Sequence, residues 1–490
     1  RGLYITTSGS DSNSGYSSAK ALATLKEAVS DAATLDTIYI ASGTYTFSSS
    51  SDGNISIDGS KNLVIKGSGS GSTIIDANSK NRHFYFYAYS SSTLLDSTFK
   101  IMDLTLKNGK PTGDNNGGSV YMTGFWNQTK NTGHAPLFQN IIFESNQINY
   151  SQNSNHLQGG AVYSYRSLPY FRDITFKYNS ANHQGGAVYL SSADTNKTVT
   201  FERTYFVGNH TSATYDGMSA SGGAVYLSNI GKVVIQDATF DSNYVAINGS
   251  CCDNRGGAIY VTSFYDSVIV RDSKFRVNKV YKPSGNDGGE AQGGAIYQSG
   301  GYGNFVVTNS LFDSNTAESA MYSYSTGSSD REAQAGAIRI DLNRFSNNNT
   351  YTFPYETILI NNTFVNNKAL GSGSQSGRGG AIRLEWAQKA TLFNNVFWDN
   401  RANNLSSDSA RHEIYGYDDG SSQIYMGNNN WQHAKDKAEN YGTNNIDRDP
   451  QFYGGTGDKY KLSDASFLIG AGVKTFEGKT APTKDILGNA

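Results

Sequence analysis

The stretch that decides the fold is Phe176-Lys177-Tyr178-Asn179-Ser180-Ala181-Asn182-His183-Gln184-Gly185-Gly186-Ala187-Val188-Tyr189. Its two signatures, F-x-x-N and G-G-A-[VI]-Y, recur along most of the chain. F-x-x-N stands at Phe143/Asn146, Phe176/Asn179, Phe206/Asn209, Phe240/Asn243, Phe275/Asn278, Phe312/Asn315, Phe364/Asn367 and Phe397/Asn400. G-G-[AS]-[VI] begins at Gly117, Gly159, Gly185, Gly222, Gly256, Gly293 and Gly379, and Ala335-Gly336-Ala337-Ile338 fills the remaining slot. A period of about 30 to 40 residues marks a solenoid. Stacked parallel turns set equivalent residues about 4.8 Å apart. Phe is then expected to stack on Phe in the core, Asn to bond to Asn at a bend that tolerates left-handed backbone, and the double Gly to turn a tight corner.

Composition agrees. Of 490 residues, 37% are hydrophobic and 17% charged, with 53 Gly, 33 Tyr and only 7 Pro. The 12% aromatic content and the Val/Ile runs argue for all-β structure with Gly/Asn turns rather than disorder. Net charge is −2. With no basic stripe, nucleic acid is not an expected partner. No apolar run reaches membrane-spanning length. The chain opens at Arg1, which reads as a mature end after an export signal; an arbitrary boundary is the alternative. Cys251 and Cys252 are adjacent, either a loop ornament or a vicinal disulfide, and without zinc-site spacing.

We expect a single right-handed parallel β-helix in three parts: residues 1–50 as a strand and capping helix, 51–400 as the repeats, and 401–490 as final rungs and an end segment. The helix is expected over Ala21–Ala33, from apolar Leu22, Leu25, Ala28, Val29 and Ala32. A cap there would cover the open end of the solenoid.

Three resemblances attach to quoted residues. Tyr4–Asp11, the Ala-rich helix and Thr37–Tyr45 resemble the opening of bacterial pectate-lyase-like right-handed β-helix proteins. The F-x-x-N/G-G-A-[IV] repeat, over about residues 117–400, resembles that of the chlamydial polymorphic outer-membrane proteins, which implies a surface passenger or adhesin. Asp449-Pro450-Gln451-Phe452, Tyr460-Lys461-Leu462, Ala471-Gly472 and Asp485-Ile486-Leu487-Gly488-Asn489 resemble the end of choice-of-anchor Q surface proteins.

Strand parity points Val162 inward and sets Ala161 and Tyr163 outward. This predicts an exposed ladder of Tyr121, Tyr163, Tyr189, Tyr226, Tyr260 and Tyr297, continuing as Arg339 and Arg383, because arginine is rarely buried without a partner. Asp341 and Glu385 share that face and are placed to pair across rungs. The variable inserts 147–158, 210–221, 244–255, 279–292, 316–334 and 368–378 are expected on one edge. Neutral drift and adaptable binding loops are both readings of their Tyr/Ser/Asn/Gly composition.

Catalytic candidates are Asp272 and Lys274, whose i, i+2 spacing is expected to set them on one strand face, together with Arg339, Arg383 and Glu385. A lyase needs a base and a group that neutralises a uronate carboxylate; a hydrolase needs clustered carboxylates. Asp253/Arg255, Asp272/Lys274 and Asp287/Glu290 read more simply as solvated charges or as members of cross-rung charge pairs, and Asn286–Glu290 as a chance likeness to lyase motifs. His156, His183 and His210 form a suspected row without metal spacing. No cofactor is called for; Ca²⁺ in the Asp/Asn-rich loops is an open alternative. The leading expectation is a non-catalytic extracellular or cell-surface protein, adhesin or subunit of a layer or filament, whose partner is itself or a polysaccharide. The alternative is a polysaccharide lyase or glycoside hydrolase.

Overall fold

A computed structural model describes residues 1–490 except 114–115, 128–129, 149–156, 193–196, 213–218, 247–251, 284–288, 321, 325–326, 330–331, 343–344, 348–349, 373–376, 386–388, 404–412, 417–422, 433–441, 455–458 and 487–490. The chain forms two compact units, Arg1–Val245 and Ala246–Ala490. Each is a parallel β-helix. In the first unit Leu137–Glu144 pairs in parallel with Lys100–Lys107 on one side and Tyr170–Lys177 on the other. Val162–Tyr165 lies between Val120–Thr123 and Val188–Ser191. A third, short column links Gln147–Ile148, Ser180–Ala181 and His210–Thr211. The second unit repeats the scheme: Lys274–Arg276, Leu311–Asp313, Thr363–Val365 and Val396–Trp398 form one column. Ile296–Ser299, Ile338–Asp341, Ile382–Leu384 and Ile414–Gly416 form another.

The repeat residues do what their spacing predicts. Phe143, Phe176, Phe206 and Phe240 stack face to face at 4.9, 4.8 and 4.6 Å. Phe275, Phe312, Phe364 and Phe397 stack at 4.8, 4.7 and 4.9 Å in the second unit. All eight are buried. Asn179 shows how the asparagine ladder closes. Its Nδ2 donates to Phe143 O (3.0 Å) and to Asn209 Oδ1 (2.9 Å), and its Oδ1 accepts from the N–H and Nδ2 of Asn146, both at 3.0 Å. Every amide group is satisfied without water, which is what a fully buried amide requires. Asn278, Asn315, Asn367 and Asn400 form the counterpart. A second ladder runs through Asn362, Asn395, Asn429 and Asn445.

The left-handed residue is not the ladder asparagine but the one before it: Ser145 (φ 53°), Tyr178 (φ 57°) and Ser242 (φ 56°). The two glycines have separate roles. Gly159 needs its φ of +72°. Gly160 has no room for a side chain, since a Cβ would sit 2.0 Å from Gly186 O of the next rung.

The helix is shorter than its apolar pattern, Leu25–Asp31. Thr24 caps it by accepting from Glu27 N–H, and Asp11 fixes the entry by accepting from Ala23 and Thr24 N–H at 2.9 Å. Leu22 instead bridges to the strand residue Ile5. Leu25, Ala28 and Val29 are buried against the first strand. Parallel pairing continues past residue 400, through Gln423–Gly427 on Lys389–Phe393 and Gly442–Thr443 on Met426–Gly427.

Candidate functional site

In the first unit parity is as predicted: Val162 is buried, and Tyr85, Tyr121, Tyr163, Tyr189 and Tyr226 form one outward column with ring centroids 5.1, 5.2, 5.1 and 5.1 Å apart. The expected exposure is corrected. The tyrosines are half-buried, and Ala161 is fully buried in the turn. Residues of the loop edge lean over the column. Arg82, itself buried, sets its guanidinium over Tyr121 at 5.1 Å. Burial lowers the Arg82 pKa to about 10 and pushes the Tyr163 hydroxyl well up. Gln158 Nε2 donates to Gln184 Oε1 at 2.6 Å along the same edge. Tyr121, Tyr163 and Tyr189 each have a stacked ring on both faces. Stacking a sugar requires a free face.

In the second unit the column is Tyr260, Tyr297, Arg339, Arg383 and Tyr415 in register. It is not the predicted exposed ladder: Tyr297, Arg339 and Arg383 are 5%, 8% and 4% exposed. The reason is that carboxylates come down onto it. Glu385 Oε1 accepts from Arg383 Nη2 at 3.0 Å. Glu385 Oε2 lies 2.6 Å from Arg383 Nε, an ion pair misaligned for a hydrogen bond, and 3.5 Å from Arg339 Nη2 across the rung. Glu332 pairs with Arg378 and reaches Arg383 at 3.5 Å. Arg339 also lies over Tyr297 at 4.8 Å, and Arg378 over Tyr415 at 5.3 Å. Asp253 pairs with Arg255 at 3.0 Å, as its sequence spacing foretold.

Glu332 is not singled out by the sequence reading, and Glu290 enters it only beside Asp287 and is set aside there. Both precede the glycine corner in a repeated tripeptide, Glu290-Ala291-Gln292 and Glu332-Ala333-Gln334, whose Ala and Gln residues pair in parallel. That duplication was the available signal. Gln334 Nε2 donates to both Glu290 Oε2 and Glu332 Oε2, so one amide bridges two carboxylates. Burial raises the Glu290 pKa, and nearby Asp253 and Glu332 add to it.

Asp272 and Lys274 do not share a strand face. Asp272 is left-handed (φ 53°), in the bend between Ile259–Arg271 and Lys274–Arg276. Its Oδ1 accepts from Asn309 Nδ2 at 3.1 Å. Lys274 instead lines a cavity of about 660 Å³ under the C-terminal segment. The suspected histidine row dissolves: strand register sets His210 beside Ser180 and Tyr244, not His183. His210 stacks on Tyr244 at 4.7 Å. His156, Asn286, Asp287 and Gly288 lie outside the described residues, as does Cys251; Cys252 is disulfide-bonded. Among the described residues no group of three or more His, Cys, Asp or Glu side chains is placed to hold a metal. No helix among them is long and apolar enough to cross a membrane.

Residues 173–191, which hold one F-x-x-N and one G-G-A-V-Y copy, match the Chlamydia polymorphic membrane protein repeat. No curated protein matches the chain. Among solved structures, a rhamnogalacturonan lyase is similar at 14% identity and a TM-score of 0.41, over 95% of this chain and 96% of that one. A structure of XylC in complex with xylose is similar at 10% identity and a TM-score of 0.40, over 93% and 88%. The chain is thus an all-β protein of parallel β-helix units with a match to the polymorphic membrane protein repeat at residues 173–191.

Proposed function

We propose that this chain acts outside the cell as a non-catalytic β-helix, a surface adhesin or a structural subunit of a surface layer or filament. One observation carries this reading. The charged side chains with the right types for chemistry, Arg339, Arg383 and Glu385, are buried and committed to one another. A uronate carboxylate or a scissile bond would have to displace those pairs. Buried pairs are costly to break, because each leaves an uncompensated charge. The match to the polymorphic membrane protein repeat supports placement on the cell surface. The tyrosine column supports the fold, and recognition then belongs to the inserts at the loop edge and to contacts with further copies.

Electron microscopy of the purified chain at rising concentration, combined with a glycan array, tests this. We expect ordered assemblies or a defined set of retained glycans. Monodisperse single particles that retain no glycan contradict it.

A second reading has one observation behind it. Glu290 and Glu332 are joined through a single amide, and Glu290 is raised by burial. A carboxyl raised by burial with a second carboxylate close by is the kind of arrangement that glycoside hydrolases use for acid/base chemistry. Under that reading Glu290 is the acid, and Glu290→Gln abolishes turnover.

A further inference from the structure

The cavity under the C-terminal segment is framed from both sides. Its floor is one outward strand column across four rungs, Lys274, Leu311, Thr363 and Val396. Its roof is formed by Lys459–Leu462, Ile469 and residues 482–486. The roof is fastened at its edges. Asn309 Nδ2 donates to Lys484 O at 2.7 Å. Tyr460 donates its hydroxyl to Asp313 at 2.7 Å, and Lys459 pairs with the same carboxylate at 2.9 Å. Further along, Asn394 exchanges two bonds with Val473 (2.8 and 2.9 Å), and Lys479 pairs with Glu356 at 2.8 Å. The volume is therefore held open between fixed walls, and about 660 Å³ lies within the range of small-molecule sites.

The lining has a definite chemistry. Lys274, Arg276, Lys461 and Lys484 face it, and none makes an ion pair among the described residues. Arg276 Nε is buried without a hydrogen-bond partner. Two carboxylates, Asp464 and Asp485, also line it, so cations stay in excess. The rest of the wall is aliphatic, including Leu311, Val396, Leu462 and Ile486. Excess cations beside aliphatic surface in a partly sheltered cleft select an anionic head on an apolar body.

We propose that this cavity binds a small amphipathic organic anion, a carboxylate or sulfate carried on a body with an apolar face. An acidic oligosaccharide and an acyl acid share that chemistry. The site is separate from the Tyr/Arg column and does not depend on whether the chain is an adhesin or a subunit.

Isothermal titration calorimetry on the whole chain tests it, with digalacturonate, octanoate and inorganic sulfate as probes. One organic anion is expected to bind one to one. Sulfate alone should bind at least ~10-fold more weakly, since it lacks the apolar contact. Lys274→Gln with Lys461→Gln should weaken the organic anion at least ~10-fold at unchanged far-ultraviolet circular dichroism. On the unaltered chain, raising NaCl from about 0.02 to about 0.5 M should weaken it as well; this arm holds even where the double variant fails to fold. Digalacturonate binding assigns the sugar source, and octanoate binding the acyl source. No binding by either, equal binding by sulfate, indifference to salt, or full binding by a folded double variant each overturns the proposal.

Discussion

Asn209 is a small side chain with four partners. Its Nδ2 donates to Phe176 O and Asn243 Oδ1, and its Oδ1 accepts from the N–H and Nδ2 of Asn179. It is fully buried. Removing it strands three polar groups that water cannot reach, and each unmet buried group costs about 1–3 kcal/mol. Asn209→Ala is therefore expected to lower stability by about 3 kcal/mol or more, read as a fall in urea midpoint at constant slope. A loss under about 1 kcal/mol would show that the ladder is not what holds the bend. Much at this scale was legible in the sequence: a polar residue repeating at fixed distance from a core Phe has to be satisfied by its own copies. The left-handed position was assigned one residue too late, because periodicity locates a bend without stating which of its residues turns.

Among elements, the ends of columns differ from their middles. In the second unit Asn400 Nδ2 meets no further asparagine among the described residues and donates instead to Glu413. Glu413 is fully buried, and burial raises its pKa well above 4.5. The folded state thus holds a proton that the unfolded chain releases near the ordinary carboxylate value. The stabilisation is complete below that value and falls as pH rises towards and through the raised one. Glu413→Gln should flatten melting temperature against pH above about 4.5. A variant whose profile still matches that of the parent would place the titration elsewhere. Element-level legibility was mixed for a physical reason. Parity follows from the two-residue period of a strand, so the outward direction of Tyr163 and Arg383 was readable. Exposure depends on what covers the strand, and the cover comes from inserts. The pairing of Glu385 with Arg339 and Arg383 followed from the same parity, whereas the approach of Glu332 was hinted at only by the doubled Glu-Ala-Gln before the glycine corner. The floor of the cavity shows the same limit, since Lys274 looked like a strand-face residue until residues 459–486 lay over it.

For the molecule as a whole, the architecture was the most legible property. Repetition makes each rung test the others, and eight copies of one signature leave little freedom in how they stack. Function was less legible because a β-helix supports both binding and catalysis, and the choice turns on whether charges at the column are free or paired. They are paired. On the proposed function this column is scaffold, not an active centre. The most direct test incubates the chain with uronate-containing and neutral polysaccharides, following absorbance of unsaturated product and release of reducing ends. The account predicts neither signal above a no-protein control. Turnover by the parent chain that is lost in Glu290→Gln or Arg383→Gln, with folding retained, would contradict it.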